Sequence, residues 1–584
     1  MKPKLIPPLL GLLAASLAAS PAAGQATNER IEAQRTHMGQ VKEFFGNLSE
    51  DERRAFSGSA QNLMHLADRW GEVEEELQRP AGPNNLPSFT LPAHTGAPLA
   101  SSSGELTAVS DPANDFATSV LAGFTQSETS TSWCGHNVVV GFNDSGSLIE
   151  TTLGGPGGAS FNGVARSTDR GETFSDLGFL NPGPNFFDFL SGDPVVACTG
   201  ENTFYYASLF ETGTQTNPLT AISVSKSTDG GRTFGNPIAA ASKSARTHFL
   251  DKPWMTANPT DANRIFVTYT DFDATGDPPC GHTPGGAPIR RTAIELVRTT
   301  DGGGTWSAPI VLAQVCGSSF VQGSQVAVGP SGEVFVLWES FVASFFGPRA
   351  LRIRRSDDHG VTFGASVKVD DMIPTGEGFR LQGGFRDFLS LALTVDRSAG
   401  PTRGFVYVVW SDGRNLQVPD FAALNGFYGY ADILLRRSTT SGATWSAPVR
   451  VNDSVEPLAD GRGTDQYQPG IAVDHTGKVG VCFYDRRRDE HNFLFDRFCA
   501  VSRDAGATWR NRRITEQRSA PWHAVDVFIN PQYLGDYDSL ASDSLGGRRG
   551  FIGAFQVVST QDVFVPNPDV KAARVDVEEG EDDD

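Results

Sequence analysis

Carboxylates, arginines and tyrosines recur along this chain beside short apolar runs, and their types could do chemistry. Asp144, Asp271 with Asp273, Glu339, Asp412 with Arg414, and Asp485 with Arg486 each close such a run. Asp193, Asp251 with Lys252, Arg386 with Asp387, Asp465 with Tyr467, and Asp536 with Tyr537 each stand just ahead of, or at the start of, another. Arginine forks hold a carboxylate bidentately. Two suitably separated carboxyl groups can cleave a glycosidic bond. The same residue types also cap loops and pair across strands, so a binding surface without catalysis is an equal expectation.

The elements that must position these residues are strands. Seven strongly apolar segments recur: Asn137–Phe142, Thr203–Leu209, Ile265–Tyr269, Val334–Trp338, Phe405–Trp410, Val479–Tyr484 and Phe551–Phe555. A second strand precedes most of them, at Pro194–Ala197, Pro253–Ala257, Gln325–Val328, Leu389–Val395, Gly470–Val473 and Ser539–Ser542. The period is that of a four-stranded propeller blade with loops.

An eight-residue motif, Ser/Thr-x-Asp-x-Gly-x-Thr-aromatic, accompanies them. It occurs at Ser167–Phe174, Ser227–Phe234, Thr299–Trp306, Ser356–Phe363 and Ser502–Trp509, and at Ser438–Trp445 with Thr440 in the Asp place. Motif starts lie 60, 72, 57, 82 and 64 residues apart, as in a repeat with variable loops. The Asp can close a turn on backbone N–H groups two residues on. The Gly supplies a positive-φ position, and Thr and the aromatic residue start a strand. The aromatic residues are expected between sheets. A carboxylate spent on a turn is not free for catalysis.

This pattern resembles the Asp box, or BNR repeat, of the sialidase superfamily and related β-propellers. The resemblance implies an all-β propeller with the boxes in the turn between the third and fourth strands, C and D, of each blade. Ligands would then enter at the opposite end of the axis, in a funnel. Six blades carry boxes; a seventh unit near 532–577 has none, with a short strand near Lys571–Val577. Seven blades are expected, with six as the alternative. Ring closure then needs an outer strand from the N-terminal side, at Leu106–Ser110 or Ser119–Phe124. Sialidases use a Tyr nucleophile, so Tyr537, with Asp485 and Glu339, is the implied catalytic set. Arg386, Asp387, Asp412, Arg414, Asp465, Tyr467, Arg486 and Asp536 are the implied ligand-binding set. The family's Arg-Ile-Pro motif is absent, leaving its first carboxylate-binding arginine without a counterpart. Two functions follow: a sialidase-type glycosidase, or a non-catalytic propeller that binds a glycan or a protein partner.

Composition bounds the rest. Residues 1–24 resemble a signal peptide, with Lys2 and Lys4 before an apolar run and small residues at Ala22–Gly24. Its removal would take the net charge from −20 to −22, a poor match for nucleic acid. A secreted or periplasmic location with no membrane span is expected. Six Cys favour disulfides; Cys482–Cys499 is the first choice and Cys280–Cys316 the second. No metal site has the required ligand spacing. Asp271, Asp273 and Asp277 form a weak Ca²⁺ pattern that reads more simply as an acidic loop.

Residues 28–79 are helical in character. Ser49–Glu52 fits a capping box, and Phe56, Leu63, Leu66, Trp70, Val73 and Leu77 make an apolar stripe. The stripe predicts a helix docked on the main domain or on a short partner helix. Residues 80–127 read as a linker with a possible ring-closing strand, 128–577 as the propeller and 578–584 as an acidic tail.

Overall fold

A computed structural model of the chain describes residues 21–78, 97–99, 106–112, 115–117, 122–123, 125–155, 157–342, 348–420, 423, 426–521, 529, 535–546, 550–558 and 568–575. Residues 1–20, most of the expected linker and the acidic tail lie outside these. Pro21–Gly24, assigned above to the signal, begin a helix.

Seven antiparallel blades surround one axis. Blade 1 runs Gln126–Cys134, Asn137–Asp144, Asn162–Ser167 and Ser175–Phe179 as strands A to D. The inner A strands of blades 2 to 6 are Phe189–Gly200, His248–Ala257, Phe320–Val328, Leu391–Val395 and Gln466–Val473. All seven expected apolar segments fall in B strands. These strands are buried on both faces, which explains a continuous apolar run where alternation would mark a half-exposed strand.

Blade 7 closes the ring. Phe551–Val558 and Pro568–Val575 pair with each other, and Leu106–Ala108 pairs with the second of them as its outer strand. The first of the two expected closing segments is thus the one used. In the other, among the described residues, Ala122–Gly123 pairs with Phe116–Ala117.

Each box lies in a C–D turn. Asp169 accepts from the Thr173 amide (2.9 Å) and hydroxyl (2.6 Å), four residues on instead of the expected two. The Ser167 hydroxyl accepts the Gly171 amide at 2.8 Å. All six box glycines have φ between 76° and 93°. Thr440 serves in its copy by accepting the Thr444 amide at 2.9 Å. Of the box aromatics only Phe174 is fully buried; the others are half-buried, because the turn sits at the outer edge of its blade.

The six cysteines pair as Cys134–Cys198, Cys280–Cys316 and Cys482–Cys499. Both expected pairs form, and the third joins the inner strands of blades 1 and 2.

The N-terminal helices are α1 (Pro21–Gly46), α2 (Glu50–Arg54) and α3 (Gly58–Leu77). The Ser49 capping box forms as expected. Every stripe residue is buried, but Phe56 stands in the turn before α3, not on it. Arg35 of α1 bonds to Glu74 of α3, joining the two helices. The hairpin lies over one end of the propeller. Phe44, Phe45 and Phe56 pack there in one cluster with Phe189, Phe249, Phe272, Phe320, Phe341 and Phe388 from the blade ends. Among the described residues no helix is long and apolar enough to cross a membrane.

Candidate functional site

The inner strands carry a repeated irregularity that builds the site. Glu128, Asp193, Lys252, Gly323, Leu389 and Gln468 all have φ between 50° and 67°, one per blade from 1 to 6. In five of these blades the A–B register slips at that point. Such a bulge re-aims side chains locally. Here it turns polar groups to the axis, where blades that are not neighbours meet. Lys252 Nζ of blade 3 lies 3.5 Å from the ring centre of Tyr537 in blade 7. The Tyr537 hydroxyl donates to Pro194 O of blade 2 (2.9 Å), and Glu128 Oε1 accepts the Asp536 amide (2.8 Å).

The turn between α2 and α3 reaches this ring. Ser57 donates its hydroxyl to Asp251 Oδ1 (2.6 Å) and its amide to Oδ2 (2.8 Å). The Gly58 amide donates to Asp536 Oδ2 (2.7 Å). The Ser59 hydroxyl donates to Glu128 Oε2 (3.0 Å) and accepts from Asn143 Nδ2 (3.0 Å) and the Asp193 amide (3.2 Å). Gln322 donates to Ala55 O (3.2 Å), and Arg386 to Phe56 O (2.5 Å). The positive end of the α3 dipole therefore faces a carboxylate ring, the favourable polarity. Phe56 stacks on Phe272 with centroids 3.7 Å apart. Gly192 explains part of the fit: at φ 118°, a Cβ there would lie 2.6 Å from Ser59 Oγ.

Burial pushes these acids up. Asp251 rises to about 6, opposed by its bonds from Ser57 and Gln322. Burial also raises Asp193, opposed mainly by Lys252, and Asp536, opposed mainly by Arg386. Beneath the ring a cavity of about 170 Å³ follows the axis, lined by inner strands, with Tyr537 and Arg397 among its residues.

The residues singled out from sequence fall into two groups. Tyr537, Asp536 and Arg386 meet at the axis with Asp193, Asp251 and Lys252; Arg386 Nε lies 3.4 Å from Asp536. The others implied as catalytic or ligand-binding are bound elsewhere. Glu339 is held by Arg349 at 2.8 Å, with that guanidinium 3.4 Å from the Phe379 ring centre. Burial raises Glu339 despite this partner. Asp485 accepts Arg487 Nε (2.8 Å) and its amide (2.7 Å). Asp412 binds Arg414 (2.7 Å) and Trp410 Nε1 (2.9 Å), and Arg414 also reaches Asp370 (3.1 Å). Asp465 accepts from Tyr428 (2.7 Å) and Asn492 (2.6 Å). Arg486 lies 3.5 Å from Asp465 and donates to Gln382 O (2.9 Å) and Asn492 O (3.0 Å), beside the buried Tyr467. Asp387 accepts Thr375 (2.7 Å) and Ser390, and burial raises it to about 6. The three arginines bind three different sets of partners, so the expected shared carboxylate-binding cluster does not form. For Asp412 and Asp485 the reason is local: an arginine or tryptophan two residues away binds each.

Asp271 and Asp273 sit inside a strand, not in the acidic loop expected. His248, Asp271 and Asp273 bring ligand atoms within 4.8 Å of one another. Lys243 (2.6 Å), Arg291 (2.7 Å) and His248 (2.9 Å) already bind Asp271, and Arg291 binds Asp273 (3.1 Å). Positive charge this close opposes a cation.

The sequence reading missed Glu128, Gln322, Asn143 and the Ser57–Ser59 tip. A partial signal was available in blades 2, 3 and 6, where Pro194, Pro253 and Pro469 follow the bulge residue; Thr129 and Ser324 stand there in the blades of Glu128 and Gln322 and give none. Pro lacks the N–H that a ladder needs, so it marks a bulge.

No protein-family model matches the chain, and no curated protein does. Solved structures do. A protein of unknown function from Dyadobacter fermentans is 13% identical, covering 66% of this chain and 94% of its own, with a TM-score of 0.40. The α-L-arabinofuranosidase Arb93A from Fusarium graminearum is 12% identical over 65% and 93%, at 0.40. The Hadza microbial sialidase Hz136 is 14% identical over 73% and 75%, at 0.37. Likeness at this level leaves the chemistry to the residues themselves, and those describe a seven-bladed β-propeller whose axis end meets the tip of an N-terminal helical hairpin.

Proposed function

We propose that this is an exported propeller that binds a glycan at the funnel end of its axis without cleaving it. The observation carrying this reading is the ring. Glu128, Asn143, Asp251, Gln322, Arg386 and Asp536 converge on one spot and engage hydroxyl, amide and carbonyl groups there. Hydroxyl groups held by carboxylates and amides are what a sugar offers. Catalysis lacks equivalent support: the Tyr537 hydroxyl is spent on a backbone carbonyl, and Glu339 and Asp485 are each bound by their own arginine. Export is supported by the signal-like N-terminus and by three disulfides, which persist in oxidising compartments.

A screen on fluorogenic glycosides, paired with binding to immobilised glycans, tests this. The expected result is no turnover, with glycan retention that Arg386→Ala weakens. Turnover that Tyr537→Phe abolishes would overturn the reading in favour of a sialidase-type enzyme.

A further inference from the structure

The tip does more at the axis than covering the end requires. The phenylalanine cluster already fixes the hairpin to the blade ends. An element that only had to close the funnel could end in apolar residues, since a buried charged cluster is often no more stable than an apolar one. Instead the tip presents two hydroxyls, two amides and two carbonyls to groups from blades 1, 2, 3, 4 and 7, and to Arg386 ahead of blade 5.

We propose that residues Ala55–Ser59 act as an internal ligand of the funnel, so that the chain is self-inhibited and takes an external glycan only when the tip withdraws. This rests on the glycan reading above. Ser57 and Ser59 stand where two sugar hydroxyls would stand, on Asp251 and on Glu128 with Asn143. The ring holds Glu128, Asp193, Asp251 and Asp536 against Lys252 and Arg386, an excess of carboxylates, so it favours a neutral sugar over an acidic one. A site open in only a fraction of molecules has its apparent affinity reduced by that fraction. Phe56 and its aromatic neighbours set how small the fraction is.

The test uses the full chain and two variants that force the tip out differently. Ser59→Phe has no room beside Gly192; Phe56→Ala removes the aromatic anchor. Each is measured on an array of neutral and sialylated oligosaccharides, with hydrogen exchange reporting whether residues 55–60 have opened. The expected result is fast exchange at the tip and binding of neutral oligosaccharides at least about tenfold tighter than by the native chain. Adding Asp251→Asn should remove that gain. Native binding as tight as that of opened variants would refute self-inhibition while sparing the glycan reading. Opened variants that bind no oligosaccharide would refute the glycan reading, and this inference with it. Tip amides that stay protected in both variants would show a permanent cap, which also overturns the inference.

Discussion

Aspartates at the two ends of the propeller live in opposite environments. At the box end they are mostly exposed and satisfied by their own turns. Bonds from Thr305 and Thr299 hold Asp301 well below the usual carboxylate range, and bonds from Thr362 do the same for Asp358. Burial raises Asp504, but bonds from Thr508 and Ser502 together outweigh it and bring it down to about 2. At the funnel end they are buried and raised: Asp251 and Asp387 to about 6. A turn supplies its donors within eight residues and needs nothing else. A funnel acid depends on a segment almost two hundred residues away, as Ser57 and Asp251 show (separation 194). Local repetition therefore marks architecture, and long-range convergence marks the candidate site.

The largest effect should come from removing the anchor of that convergence. Phe56→Ala deletes a fully buried ring and should cost about 3–5 kcal/mol of stability in denaturant unfolding. A loss below about 1 kcal/mol would mean that the hairpin does not hold the funnel closed.

Acidity separates the two ends next. A folded value near 6 lies above the ordinary aspartate value of about 3.9. The native state then binds the proton more tightly, so Asp251 contributes stability below its unfolded value that is lost as pH rises through about 6. Replacing it with Asn removes that dependence. Relative to the variant, the native chain should lose on the order of 2 kcal/mol between pH 4 and pH 7. The box aspartates run the other way: Asp504 contributes above about 4 and loses its contribution as pH falls toward about 2. His37, buried on α1 against Phe187 and lowered by that burial to about 4, weakens the hairpin as pH falls from about 6.5. The paired comparison cancels that common term.

Asp169→Ala at the first box should cost about 1 kcal/mol, the scale of a net hydrogen bond, and leave any glycan binding unchanged. Smallest of all, Thr440→Asp restores the degraded box and should gain a few tenths of a kcal/mol in thermal unfolding. A box substitution that altered binding would break the division between the two ends.

Most of the architecture was legible because it repeats. Each Asp box is a complete local unit, and each B strand, buried on both faces, shows as an uninterrupted apolar run. The need for a closing strand followed from the missing fourth strand of blade 7, though two segments, Leu106–Ser110 and Ser119–Phe124, were open to it. The site was only partly legible. Tyr537, Asp536 and Arg386 were found by their place at strand starts. Asp412 and Asp485 at strand ends and Asp465 at a strand start have the same residue types, but arginine, tryptophan, tyrosine or asparagine partners bind them in place. Glu128 was passed over because nothing in a stretch of Ser and Thr shows that a bulge will turn it to the axis. The tip was invisible for a different reason. An apolar stripe tells that a helix docks, but Ser57, Gly58 and Ser59 look like an ordinary helix start until their partners in four blades are known.

The central claim, that the hairpin tip fills the funnel by bonding to its carboxylates, is tested most directly by hydrogen exchange at the amides of Ser57 and Gly58 in the native chain. They should exchange as slowly as the B-strand amides of the propeller core, because each donates to a buried carboxylate, Asp251 or Asp536. Exchange as fast as in the exposed Asp-box turns would contradict the account.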